Sequence, residues 1–109
     1  MITFPKLTDW EILQKIQVPS EGKLNVFLDT DTYNEIDDQF AILYAMLSPE
    51  RICLKGINAA LFFNGRSDGP ADGMEKSYQE ILKICRLTNR SPENFVFRGC
   101  TQPLKSPAV

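Results

Sequence analysis

Three short apolar runs, Leu24–Leu28, Ile52–Ala60 and Phe95–Phe97, carry large side chains at both odd and even positions. Successive residues of a strand point to opposite faces, so strands of this kind need cover on both sides, as in a parallel sheet packed between helices. Two helical stripes alternate with the runs. One extends from about Asp37 to Leu47 through Phe40, Leu43, Tyr44 and Leu47 and stops at Ser48-Pro49; the other joins Met74, Tyr78, Ile81, Leu82 and Cys85. The order β-α-β-α-β argues for an α/β fold with a mostly parallel sheet joined by right-handed crossovers, a Rossmann-like core.

Ahead of this core, Thr8-Asp9-Trp10-Glu11 has the pattern of a capping box, which predicts a short helix through about Ile16. Residues 1–23 therefore read as an N-terminal helix and turn, and 24–109 as the α/β unit. If the three strands lie side by side in chain order, both crossover helices fall on one face and only the N-terminal helix is left for the other. The expectation is an incomplete domain.

Composition removes several classes of function. The longest apolar run, Phe40 to Leu47, is far shorter than the ~20 residues of a membrane span, and residues 1–10 interrupt any secretory apolar centre with Pro5, Lys6, Thr8 and Asp9. A net charge of -2 offers no excess of cations for nucleic-acid phosphates. Cys53, Cys85 and Cys100 form an odd set without C-x-x-C spacing, expected as reduced core thiols in a cytoplasmic protein. There is no histidine, so His-based triads, imidazole-ligated zinc and a His general base are all excluded within this chain. Its chemistry must rest mainly on carboxylates.

Asp29, Asp31, Glu35, Asp37 and Asp38 gather in one segment, with no basic residue between Lys23 and Arg51. The segment follows the first strand of the core, where open α/β sheets place their ligands. Two like charges ~4 Å apart repel by about 4 kcal/mol at an effective dielectric of 20, so a cation would ease the crowding, and an all-oxygen donor set selects calcium or magnesium. Helix-start charges and ordinary turn residues account for the same aspartates without a metal. An EF-hand is excluded, because counting from Asp29 puts Asn34 at the required Gly and Phe40 at the required Glu.

The stretch VFLDTDTYNEIDDQFAI (26–42) resembles the N-terminal signature of the inosine-uridine preferring nucleoside hydrolases, a D-x-D loop followed by paired aspartates at a helix start, usually D-x-D-P-G-x-D-D. The similarity continues through the second strand to Asn64, the helix from Met74 and the glycine-containing RGCTQPL (98–104). It implies calcium-dependent hydrolysis of the N-glycosidic bond of a ribonucleoside to ribose and free base. By position, Asp31 would be a calcium ligand and the base for the nucleophilic water, and Asp38 the second ligand. Asp37 and Asn64 would bind ribose hydroxyls, and Asp29 would be a supporting carboxylate. Asn64 equally suits a residue that caps a turn. Five residues, Thr32 to Ile36, separate Asp31 from Asp37 where the signature has three, and Pro-Gly is absent, so the loop is expected to bulge.

The resemblance further implies that this chain is the N-terminal portion of a nucleoside-hydrolase-like domain. It would supply the Asp-rich half of the site and be inactive alone, with homo-oligomerisation of the full-length protein left open. The expected partner is a ribonucleoside, with no membrane and no nucleic acid. Two alternatives stand beside it. One is a haloacid-dehalogenase-type magnesium phosphatase using Asp29 and Asp31, and the other is a truncated, catalytically silent domain.

Overall fold

The computed structural model describes residues 5–105. Six elements follow one another: α1 (Asp9–Ile16), β1 (Leu24–Thr30), α2 (Ile36–Met46), β2 (Ile52–Ala59), α3 (Pro70–Leu87) and β3 (Val96–Arg98). The expected α/β alternation is present, with one three-stranded, fully parallel sheet in the order β1-β2-β3. The first strand runs two residues beyond its apolar stretch, through Asp29 to Thr30, because both residues find partners across β2. The last helix starts at Pro70 rather than Met74. Proline suits a first helical position, where its missing N–H is no loss.

The register pairs Leu24 with Ile52 at one end and Thr30 with Ala59 at the other, and Val96 with Ile57 on the far side of β2. Val26 faces Leu54 while Phe27 faces Gly56, so Lys55 bulges out of the ladder and stays exposed. This bulge decides the later alternation of β2. Beyond it, Leu28, Thr30, Ile57, Ala59 and Val96 share one face, and Phe27, Asp29, Gly56, Asn58 and Phe97 share the other.

Both crossover helices pack on the first of these faces. Ile42 of α2 and Met74, Ile81, Ile84 and Cys85 of α3 join Ile57, Ala59, Phe95 and Val96 in a single core, with Ile42, Ile57, Ile81 and Cys85 fully buried. At about 25 cal/mol per Å² of apolar surface, each such side chain contributes roughly 1.5–3 kcal/mol. The opposite face is open. Phe27 and Phe97 stack there with ring centroids 5.8 Å apart, leaning over Gly56, and Phe27 remains 58% exposed.

Three expectations need correction in detail. Helix α1 forms with both halves of its capping box, Thr8 and Glu11, yet none of its residues is buried, so it gives the open sheet face no packed cover. In α2, Phe40, Tyr44 and Leu47 of the expected stripe are exposed, and Ile42 and Ala45 are the buried pair. The helix is apolar on two sides, so spacing alone cannot tell which side meets the sheet. Of the thiols, Cys85 is buried, Cys53 is intermediate and Cys100 is exposed, so one of the three belongs to the core and all are free.

Helix α3 begins against the chain that leaves β2. A Cβ at Gly73 would lie 2.1 Å from the Phe62 carbonyl oxygen, a backbone atom that cannot swing aside. A Cβ at Gly56 would lie 2.7 Å from Phe27 Cε2, the tip of an exposed ring. Gly73→Ala is therefore expected to destabilise by about 2–4 kcal/mol despite alanine's higher helix propensity, and Gly56→Ala by about 1 kcal/mol or less. Urea unfolding of the two variants checks the ranking.

Candidate functional site

Strand β1 delivers the acidic segment to the carboxyl-terminal edge of the sheet. Its last residue, Thr30, is buried, and Thr32 beyond Asp31 is fully buried, so Asp31 is held between two inward-turned threonines. The Thr30 hydroxyl donates to Asp38 Oδ1 at 2.5 Å, and the Thr30 and Thr32 hydroxyl oxygens are 3.0 Å apart. A hydroxyl has one proton, and that of Thr30 is committed to the carboxylate. Thr32 must then donate to Thr30. The result is a directed chain, Thr32 to Thr30 to Asp38, that ties the end of β1 to the first turn of α2.

The extra residues of the loop are taken up in a turn. The Asn34 N–H bonds the Asp31 carbonyl at 2.7 Å, and Asn34 Nδ2 donates to Asp31 Oδ2 at 3.0 Å. The expected bulge is this turn, and it leaves Asp31 close to Asp38. The carboxyl of Asp38 is held above its ordinary pKa, first by partial burial and then by the charges of Asp31 and Asp37 and a hydrogen bond with Asp31, while the Thr30 bond acts in the opposite sense. Asp37 turns one oxygen, Oδ1, to the Asp38 N–H at 3.1 Å. Among the described residues, no salt bridge includes Asp31, Asp37 or Asp38.

Asn64 reaches the same place from the loop between β2 and α3. Its Nδ2 donates to Asn34 Oδ1 at 2.5 Å, and its Oδ1 caps the Arg66 N–H at 2.9 Å. It thus caps a turn and also joins the acidic loop through Asn34, keeping one amide proton and one acceptor lone pair free. Arg66 donates from Nη1 to the Asn34 carbonyl. Asp29 stands apart on the open face, where its Oδ1 accepts from Asn58 Nδ2 at 2.5 Å across the sheet. It supports the pairing of β1 with β2.

Four site residues went unnoticed in the sequence: Thr30, Thr32, Asn34 and Arg66. The alternation Asp29-Thr30-Asp31-Thr32 held the clue to the first two, since residues two apart on a strand share a face. Asn34 bonds Asp31 within its own loop, but its link to Asn64, like the role of Arg66, comes from the meeting of two loops. A cavity of about 520 Å³ lies elsewhere, lined by Lys23, Met46, Leu47, Ile52, Arg90 and Phe95 at the opposite ends of the strands.

The donor chemistry of Asp31 and Asp38 suits a hard cation. The number of donors is small: among the described residues, no group of three or more His, Cys, Asp or Glu side chains is placed to hold a metal ion. Two carboxylates provide at most four of the six to eight oxygens calcium takes, and Thr30 and Asn34 each already donate to one of these four.

Because the folded-state pKa of Asp38 is raised, its contribution to stability is present below the ordinary aspartate range and lost as pH rises through the folded value. Asp38→Asn keeps an acceptor for Thr30 and removes the repulsion. At neutral pH it should raise the melting temperature by roughly 2–4 °C, the response of a domain this size to about 0.5 kcal/mol. The gain should vanish in acid, where Asp38 is protonated in both states. Thermal unfolding by circular dichroism across pH checks the sign.

Compared with family models, curated proteins and solved structures, the chain matches none.

Proposed function

We propose that this chain supplies the acidic, calcium- and ribose-binding half of a site that hydrolyses the N-glycosidic bond of ribonucleosides to ribose and free base. The observation that carries the reading is the approach of Asp31 to Asp38, uncompensated by any salt bridge among the described residues, at the carboxyl-terminal edge of a parallel sheet. The joining of Asn64 to the same loop through Asn34 supports it.

In this reading Asp31 and Asp38 hold the cation, Asp38 through the oxygen that Thr30 leaves free. Calcium bound there would supply a Lewis acid that makes water more acidic and a point of attachment for vicinal hydroxyls. Asp31 takes the proton from the attacking water. The glycosidic bond breaks with positive charge developing on the sugar, and the cluster of aspartates stabilises that charge. Asp37, with Oδ1 already accepting from Asp38 N–H, offers Oδ2 to a ribose hydroxyl, and Asn64 offers its free N–H and lone pair. No described helix is long and apolar enough to cross a membrane. The reading places the protein in the cytoplasm, where its cysteines stay reduced.

With so few protein ligands, calcium should bind with a dissociation constant of about 10⁻⁴–10⁻³ M. Asp31→Asn and Asp38→Asn should each weaken it about tenfold or more. In amide NMR spectra, inosine should perturb Asp37 and Asn64 with calcium present and not without it. Calcium binding that ignores both substitutions overturns the reading, as does phosphomonoester turnover with a phosphorylated Asp29.

A further inference from the structure

Asn34 stands at the middle of Thr32–Ile36, the five-residue stretch that has three residues in the hydrolase signature. Its side-chain amide joins the two loops of the site, with Nδ2 donating to Asp31 Oδ2 at 3.0 Å and Oδ1 accepting from Asn64 Nδ2 at 2.5 Å. The direction of these bonds is forced. An ionised carboxylate only accepts, so the NH₂ end of Asn34 must face Asp31 and its oxygen must face Asn64. Asn64 then has to turn its own NH₂ to Asn34, and its oxygen accepts from the Arg66 N–H at 2.9 Å. The charge on Asp31 thereby orients an amide thirty residues further along the chain.

Backbone contacts hold both amides in place. The Asn34 N–H bonds the Asp31 carbonyl at 2.7 Å, and the Asn34 carbonyl accepts from the Arg66 guanidinium. On the other loop, the Asn64 carbonyl accepts from the N–H of buried Ser67 at 3.1 Å, and the Asn64 N–H donates to Ser67 Oγ at 3.4 Å. Lys76 of α3 donates from Nζ to the Arg66 carbonyl at 3.0 Å. Arg66 therefore serves the pair twice, from its backbone to Asn64 and from its side chain to Asn34, and closes a ring of three residues.

We propose that Asn34 is a positioning residue that couples the cation on Asp31 to the sugar on Asn64, with Arg66 as its clamp. The inference rests on the hydrolase reading of the site. With Oδ2 bonded to Asn34, Asp31 presents Oδ1 to calcium, and a cation there fixes the carboxylate, the Asn34 amide and the Asn64 amide in turn. A ribose hydroxyl on Asn64 orders the same chain from its other end. Each ligand then lowers the ordering cost of the other, by a factor that is equal in both directions.

Calorimetric titration of the whole chain with calcium, with and without excess inosine, reads this coupling. Inosine should tighten calcium binding at least about tenfold in the parent chain. Asn34→Ala should cut that gain at least about fivefold without weakening calcium measured alone, because it releases Asp31 Oδ2; a merely structural role would weaken both. Arg66→Ala should act in the same direction, and adding Asn64→Ala to Asn34→Ala should cause no further fall in the gain. In the chain free of calcium and inosine, Asn34→Ala should shift the amide resonances of Asn64 and Arg66, Glu35→Ala should not, and the circular dichroism spectrum should stay the same. A full inosine gain in Asn34→Ala overturns the proposal and leaves the hydrolase reading standing, as do weaker binding of calcium alone in that variant and unmoved Asn64 resonances. Calcium binding that is indifferent to inosine in the parent chain overturns both.

Discussion

The hydrogen bond from Thr30 to Asp38 joins the end of β1 to the beginning of α2, and the placement of the acidic loop depends on it. Thr32 feeds the same chain from the other side of Asp31. Both hydroxyls are buried, where an unpaired polar group would cost about 1–3 kcal/mol. Losing any one link would therefore leave another group unsatisfied. Among the described residues no buried side-chain nitrogen or oxygen lacks a partner. The loop between strand and helix is thus held at both ends, while its middle is folded back on Asp31 by Asn34.

That arrangement holds like charges together. Ionised Asp38 is opposed by partial burial and by Asp31 and Asp37, and the Thr30 bond is the chief influence in its favour. Elsewhere on the molecule, some acidic groups have close cations: Glu75 pairs with Arg98, which also lies over the Tyr78 ring, and Asp72 pairs with Lys76. These pairs lower the carboxyl pKa values where Asp38 is raised. The contrast separates carboxylates that serve the fold from those that strain against it. Perturbed groups of the second kind mark candidate functional sites.

The same division runs through the apolar surface. One face of the sheet is covered by α2 and α3, with Ile57 at the centre of the core. The other carries a stacked pair of phenylalanines over a glycine that leaves room for their rings. The two-faced strands and the two-sided α2 follow from a single property of the sequence, large apolar residues in positions that a one-sided sheet would give to polar ones.

By itself the sequence determined the order of elements, the capping of α1 by Thr8 and Glu11, and the acidic character of the loop after β1. These are local properties, set by side-chain periodicity, a four-residue capping pattern and composition. Tertiary structure decided which side of α2 is buried, because two stripes of similar apolarity compete and only the sheet chooses between them. It likewise decided the register of β2 after the Lys55 bulge, and the grouping of Asp31, Asn34, Asp38 and Asn64. Asn34 and Asn64 are thirty residues apart in the chain. Their hydrogen bond exists because parallel pairing brings the ends of β1 and β2 to the same edge, and a parallel partner is set by how the crossover packs, beyond the reach of any local pattern.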